Sequence, residues 1–166
     1  MTRIKLHGDY IHTRGTLPDI GSIASDFTMV KPDLSEVNFY SFNYKHKLLN
    51  IFPSIDTEVC ARSVKQFQKL STTTGDAIII NLSMDLPFAQ KRFCKEEGID
   101  NILTASLFRS NFFEHYPLDI IDGQLKGLCS RVVLIVNEKN EILYSEQVAD
   151  LSLEPNYEEA LATLNS

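Results

Sequence analysis

No two of the three cysteines, Cys60, Cys94 and Cys129, stand two residues apart. Without a C-x-x-C pair, a disulfide oxidoreductase that works within one helical turn is disfavoured. Three is also too few and too odd a number for a structural disulfide framework. Neither the cysteines nor His7, His12, His46 and His115 stand at zinc-binding spacing, so no metal site is expected. Basic residues are scattered, and 16 of them against 22 acidic ones leave a net charge of −6, which argues against a nucleic-acid footprint. Apolar runs such as Val132 to Val136 fall far short of a membrane span, and residues 1–8 contain no apolar signal-like core. A cytoplasmic chain with no membrane attachment is expected. Repeats, low-complexity tracts and linkers are missing too, so the 166 residues are expected to form one domain, 1–166, burying about two thirds of its unfolded surface.

What is present alternates between strand and helix signals. Ile4–Leu6 and Tyr10–Thr13 flank Gly8-Asp9, a two-residue turn suited to an N-terminal hairpin. Phe27–Val30 and Val37–Phe39 suggest a second hairpin. Lys47–Phe52, Ala77–Leu82 and Arg131–Val136 read as buried strands, with a short strand at Ile102–Thr104 and an alternating one at Glu141–Val148. Between them, Glu58 to about Thr72 is an amphipathic helix with Cys60, Val64 and Phe67 on one face. A second helix starts at an Asp85 N-cap with Pro87 just inside, carries Leu86, Ala89, Phe93 and Cys94 at helical spacing, and stops at Gly98. Ser110 to Tyr116 suggests a helical turn, and Pro155–Leu164 a final helix. The order points to an α/β fold: a mixed central sheet flanked by helices, with an extra N-terminal β-hairpin.

Cys60 occupies the place with the most chemical potential. An apolar strand ends at Pro53, a polar turn follows, and the thiol falls in the first turn of a helix, where free backbone N–H groups and the helix dipole stabilise an anion. Thr57 is a suitable cap, its hydroxyl within reach of the first-turn amides or the sulfur. The end of a parallel strand is also where open α/β sheets place ligands. Against this, Cys60 shares a face with Val64 and Phe67, and free cysteine is often buried filler. Periodicity alone leaves Cys94 a core cysteine, Cys129 a small hydrophobe and Arg131 one half of an ordinary ion pair. Phe108, Phe112, Phe113 and Tyr116 read first as core, and second as part of a dimer interface or of an apolar mouth near the thiol.

Three strings carry a resemblance. Pro53-x-x-x-Thr57-x-x-Cys60 resembles the peroxiredoxin signature. Asn50 to Thr57, Ser83 to Cys94 and Gly127 to Arg131 resemble the bacterial thiol peroxidase branch, an atypical two-cysteine group. The likeness implies a thioredoxin-like fold, a homodimer and reduction of hydrogen peroxide and organic hydroperoxides. It implies Cys60 as the peroxidatic thiol and Cys94 as the resolving one, joined in an intrachain Cys60–Cys94 disulfide. Pro53, Thr57 and Arg131 would complete the peroxide pocket, and thioredoxin would restore the dithiol without a metal or organic cofactor. Cys129 departs from the branch's pattern, which has a small apolar residue there.

The implied chemistry is coherent. A Cys60 thiolate attacking ROOH becomes a sulfenic acid, and Arg131 offers fixed, permanently charged donors to the oxygens. Since a disulfide needs about 4.4–6.8 Å between Cα atoms and both thiols sit on packed helices, one or both helix ends are expected to unwind in each cycle. The rival readings are a peroxide-sensing switch or holdase using the same cysteine pair, and a disulfide oxidoreductase.

Overall fold

Apolar strands buried on both faces build the centre of the molecule, for which a computed structural model describes residues 1–166. Strands β1 (Thr2–Leu6) and β2 (Asp9–Thr13) pair as a separate antiparallel ribbon. The main sheet comprises β3 (Thr28–Val30), β4 (Glu36–Asn38), β5 (His46–Ile51), β6 (Ala77–Ser83), β7 (Leu103–Ser106), β8 (Val132–Asn137) and β9 (Ile142–Gln147), in the order β4-β3-β7-β6-β5-β8-β9. Helices α1 (Glu58–Leu70), α2 (Pro87–Glu97), α3 (Phe112–His115) and α4 (Tyr157–Leu164) complete it. Strands β5, β6 and β7 run parallel because α1 and α2 provide the crossovers; β8 runs antiparallel to β5 and β9 to β8.

Alternation along β5 divides the core. Leu48 packs with Phe67 of α1 and Ala160 and Leu164 of α4. Leu49 and Ile51 point the other way, into an 18-residue cluster with Phe27, Phe39, Phe112 and Tyr116. That second face is covered mainly by aromatic loop segments and the four-residue α3 rather than by a long helix. Phe112 stacks on Tyr116 with centroids 4.7 Å apart, and Phe27 meets both rings edge-on. Each such buried ring or aliphatic chain contributes about 1.5–3 kcal/mol.

The mixed sheet and flanking helices agree with expectation, and several local readings are corrected. Leu6 pairs with Asp9, so the hairpin turn is His7-Gly8, not Gly8-Asp9. Both turn residues have positive φ (50° and 88°), as a type I′ turn requires, which puts glycine second. The buried residues of α2 are Pro87, Gln90 and Phe93, while Leu86 is half exposed. Gln90 tolerates burial because its Nε2 donates to Ser83 Oγ and to the Ala105 carbonyl. The final helix begins at Tyr157, capped by Asn156, whose side chain accepts from the Glu159 N–H.

Gly8→Ala should therefore cost about 1–2 kcal/mol of stability, the penalty for a Cβ in the left-handed region; denaturant unfolding measures it.

Candidate active site

Strand β5 delivers the chain to the site. After Ile51, Phe52 and Pro53 are still buried, and α1 begins at Glu58 with Cys60 in its first turn. The Ala61 N–H is the first to bond within the helix, to the Thr57 carbonyl at 2.9 Å, which leaves the Glu58, Val59 and Cys60 amides without an intrahelical acceptor. Thr57 occupies the N-cap position, but its side chain does not cap the helix. Its hydroxyl instead donates to the Ser54 carbonyl (2.8 Å). The expected bond to the first-turn amides is thus absent, and Oγ1 keeps its lone pairs for another donor.

Asp85 also departs from expectation. The N-cap of α2 is Leu86, held extended by the proline after it. The Asp85 carboxylate turns to the neighbouring crossover, where it accepts from Ser54 Oγ (2.8 Å) and the Ile55 N–H (2.7 Å), and from Ser83 Oγ (2.6 Å). It therefore clamps the Pro53–Thr57 loop to the end of β6. A carboxylate accepting three bonds holds a loop more firmly than neutral groups would.

Arg131 arrives from the opposite direction. Because β8 is antiparallel to β5, with Val132 paired to Ile51, the residue before β8 lies beside the strand exit. Its side chain is only 2% exposed. Nη1 donates to Cys60 Sγ at 3.5 Å and Nη2 to the Leu151 carbonyl at 2.9 Å, while Nε is buried without a partner. None of the chain's ion pairs includes it, so the ordinary ion-pair reading is wrong. A buried cation without a carboxylate is costly unless an anion answers it, and the atom nearest to that role is the Cys60 sulfur.

Pro53, Thr57 and Arg131 line one cleft of about 330 Å³, closed on its other sides by Leu6 and His7 of the hairpin turn, Val59, Leu125 and Leu151. Cys60 itself is fully buried beneath it, in an apolar cluster with Phe52, Ile55, Val64, Phe93 and Ile99. Cys94 packs against the same cluster from α2 and is partly exposed, with Sγ–H donating to Thr104 Oγ1 at 3.4 Å. Burial pushes the Cys94 thiol pKa up, partly offset by Thr104. All three cysteines are free thiols. Cys129 is wholly buried in the aromatic-faced core, where burial first, and the charges of Asp85 and Asp119 next, push its pKa strongly up. That environment suits a small hydrophobe. The aromatic group stays away from the cleft: Phe112 and Tyr116 are core, and the apolar mouth is made instead by leucines.

Residues 17–161 match the Redoxin family. The thiol peroxidases of Mycobacterium bovis and Mycobacterium tuberculosis are 45% identical to the chain over 166 residues, the full length of both. The chain is a peroxiredoxin of the thiol peroxidase branch. A peroxiredoxin-like protein from Aquifex aeolicus has the same fold, with a TM-score of 0.92 and 32% identity over 98% of this chain and 95% of that one. A thiol peroxidase from Chromobacterium violaceum shares the fold at a TM-score of 0.89 and 20% identity, covering 98% and 94% of the two chains. The architecture is thus thioredoxin-like, and this peroxiredoxin is a thiol-dependent peroxidase by class.

Of the site residues read from the sequence, Pro53, Thr57 and Arg131 line one cleft, Cys60 lies buried beneath it within reach of Arg131, and Cys94 stays on α2 against the same apolar cluster. Sequence reasoning overlooked Asp85 as a clamp and Leu6, His7, Leu125 and Leu151 as walls. The only signal for Asp85 was its place between Ser83 and Pro87, which also fits an N-cap.

Removing the clamp in Asp85→Ala should slow Cys60 oxidation by peroxide and lower stability by about 1–3 kcal/mol, since buried donors lose their acceptor; single-turnover thiol titration and thermal unfolding measure the two effects. The raised Cys94 pKa has its own signature. Its folded form holds the proton longer than the unfolded chain does, so the associated stability is present at neutral pH and is lost as pH climbs past the ordinary thiol range. Alkylation of Cys94 in a Cys60→Ser, Cys129→Ala background should accordingly rise with a midpoint above that of a free thiol, whereas a midpoint at the free-thiol value would contradict the burial effect.

Proposed function

We propose that the chain reduces hydroperoxides through Cys60 as the attacking thiolate and Cys94 as the resolving thiol, with Pro53, Thr57 and Arg131 completing the peroxide pocket. The observation that carries this reading is the unpaired Arg131 guanidinium, buried against the Cys60 sulfur and open to the cleft. In the first step the Cys60 sulfur attacks the terminal oxygen of ROOH. An S–O bond forms and the O–O bond breaks; sulfur loses two electrons, and RO⁻ takes a proton to leave as alcohol or water. Charge develops on the departing oxygen. Arg131 and the free first-turn amides of α1 are donors available to it, and Thr57 Oγ1, with its own hydrogen committed to Ser54, is an acceptor for the peroxide hydrogen.

In the second step the Cys94 thiol attacks the Cys60 sulfenic acid. The S–S bond forms, the S–O bond breaks and water leaves with the Cys94 proton. The two sulfurs border one apolar cluster on separate helices, which supports pairing after local unwinding and not before it. A dithiol protein, thioredoxin, then reduces the disulfide by two exchange steps. The pair must be reduced in each cycle, which fits a reducing cytoplasm. Leucines in the cleft wall favour organic hydroperoxides over hydrogen peroxide. Exposed Leu86 and Phe88, at 50% and 66%, support association into a homodimer, and the reading takes residues 1–166 as one domain. A sensing or holdase role is not favoured by any feature of the cleft.

The test is NADPH consumption coupled through thioredoxin reductase and thioredoxin to cumene hydroperoxide. Cys60→Ser should abolish turnover. Cys94→Ser should react once and stall, accumulating sulfinic acid at high peroxide. Replacing the donors in Arg131→Met should lower kcat/KM by about 10²–10³, as loss of a developing-charge donor does elsewhere. Recycling activity in Cys60→Ser would sink the assignment, and Cys129→Ala should leave turnover intact.

A further inference from the structure

Three polar residues interrupt the apolar parallel strands at matching register: Asn50 of β5 lies opposite Asn81 of β6, which lies opposite Thr104 of β7. All three are buried. Asn50 Nδ2 donates to Asn81 Oδ1 at 3.0 Å and to Ser63 Oγ at 3.3 Å. Ser63 Oγ donates in turn to the Cys60 carbonyl at 2.8 Å. Asn81 Nδ2 donates to Thr104 Oγ1 at 3.2 Å, the oxygen that also accepts from Cys94 Sγ. One amide thus commits its two hydrogens to two branches, which end at the backbone of one redox cysteine and the thiol of the other. The arrangement leaves Asn50 Oδ1 buried without a partner. Apolar side chains would fill a two-sided parallel sheet without that cost, so folding alone gives no reason for the ladder.

We propose that this ladder is a latch that holds both cysteine-bearing helices to the central strands and thereby sets the rate of the resolving step. The inference rests on the Cys60–Cys94 pairing proposed above. Its logic is chemical as well as mechanical. When Cys94 attacks the sulfenic acid, the thiol hydrogen leaves with the hydroxyl as water, so the bond that Cys94 donates to Thr104 is destroyed by the reaction. At the other end, α1 must release the Cys60 turn for the sulfurs to meet, which strains the Ser63 bond to the Cys60 carbonyl. Both bonds stabilise the reduced, closed form and are absent or weakened at the disulfide, so each adds to the barrier between them. Asn50 and Asn81 touch neither peroxide nor sulfur; they are positioning residues, acting through Ser63 and Thr104. The longer a sulfenic acid waits behind the latch, the more of it meets a second peroxide and becomes sulfinic acid. The ladder would then set how readily the protein is inactivated by its own substrate.

The experiment oxidises reduced protein with one equivalent of cumene hydroperoxide, quenches with a thiol-blocking reagent at successive times, and counts disulfide by mass spectrometry. A second arm measures the ratio of sulfinic acid to disulfide at excess peroxide. Ser63→Ala and Thr104→Val, nearly isosteric and cutting opposite ends, should each form disulfide about three- to ten-fold faster, the span of one net hydrogen bond. Each should lower the sulfinic ratio by a similar factor. Thr104→Ser, which restores the hydroxyl, should return both readouts to wild type. Ile135→Val, which loosens the core on β8, should lower the melting temperature without moving the ratio. Unchanged or slower disulfide formation in both Ser63→Ala and Thr104→Val would overturn the latch. If Cys94→Ser blocks resolution while those two variants match wild type, the latch alone fails; if Cys94→Ser still forms an intrachain disulfide, the pairing fails with it.

Discussion

A buried guanidinium with no carboxylate partner is the constraint around which the rest of the site is arranged. Arg131 has one sulfur acceptor, one carbonyl acceptor and one nitrogen with none. Folding around such a charge is expensive, and the usual remedy is an acidic neighbour. An Asp or Glu there would stabilise the fold but would also quench the field at Cys60. In the proposed reaction, leaving the place open keeps the cation available to the anion that forms next to it, first at sulfur and then at oxygen. The antiparallel pairing of β8 with β5 is what brings this charge to the strand exit, so the topology of the sheet and the electrostatics of the site are one design.

Much of the site is readable because it is local. Pro53, Thr57 and Cys60 follow one another through a strand exit, a turn and a first helical turn, and each step leaves a mark in residue type. Long-range partnerships leave none. Asp85 binds Ser54 and Ile55 some thirty residues away, and a capping aspartate before a proline is the same string of letters. Thr57 is legible at the helix start, yet its hydroxyl has a choice between helix amides and the Ser54 carbonyl that only the loop geometry decides. The hairpin turn shifted by one residue because Gly8-Asp9 and His7-Gly8 are both plausible pairs, and only the Leu6–Asp9 register separates them. Two asparagines inside strands that otherwise read as apolar were a visible anomaly; their alignment with each other and with Thr104 depended on the register of three strands.

Both cysteines border one apolar cluster and yet belong to different helices, and this separation has a physical use. If the sulfurs were already within bonding distance, the dithiol would close on any oxidant and the thiolate would be withdrawn from peroxide. In the proposed cycle, a half-buried Cys94 thiol, its pKa pushed up by burial, stays out of the first reaction. Chemistry at Cys60 then changes the balance. A sulfenic acid formed there as proposed is neutral and would not answer the charge of Arg131 as an anion does, so the electrostatic reason for keeping the α1 turn closed would weaken when opening becomes useful. In the proposed cycle the closed form is favoured by a Cys60 anion and disfavoured by its oxidation product, and the proposed ladder beneath sets how large that difference must be before the helix end lets go.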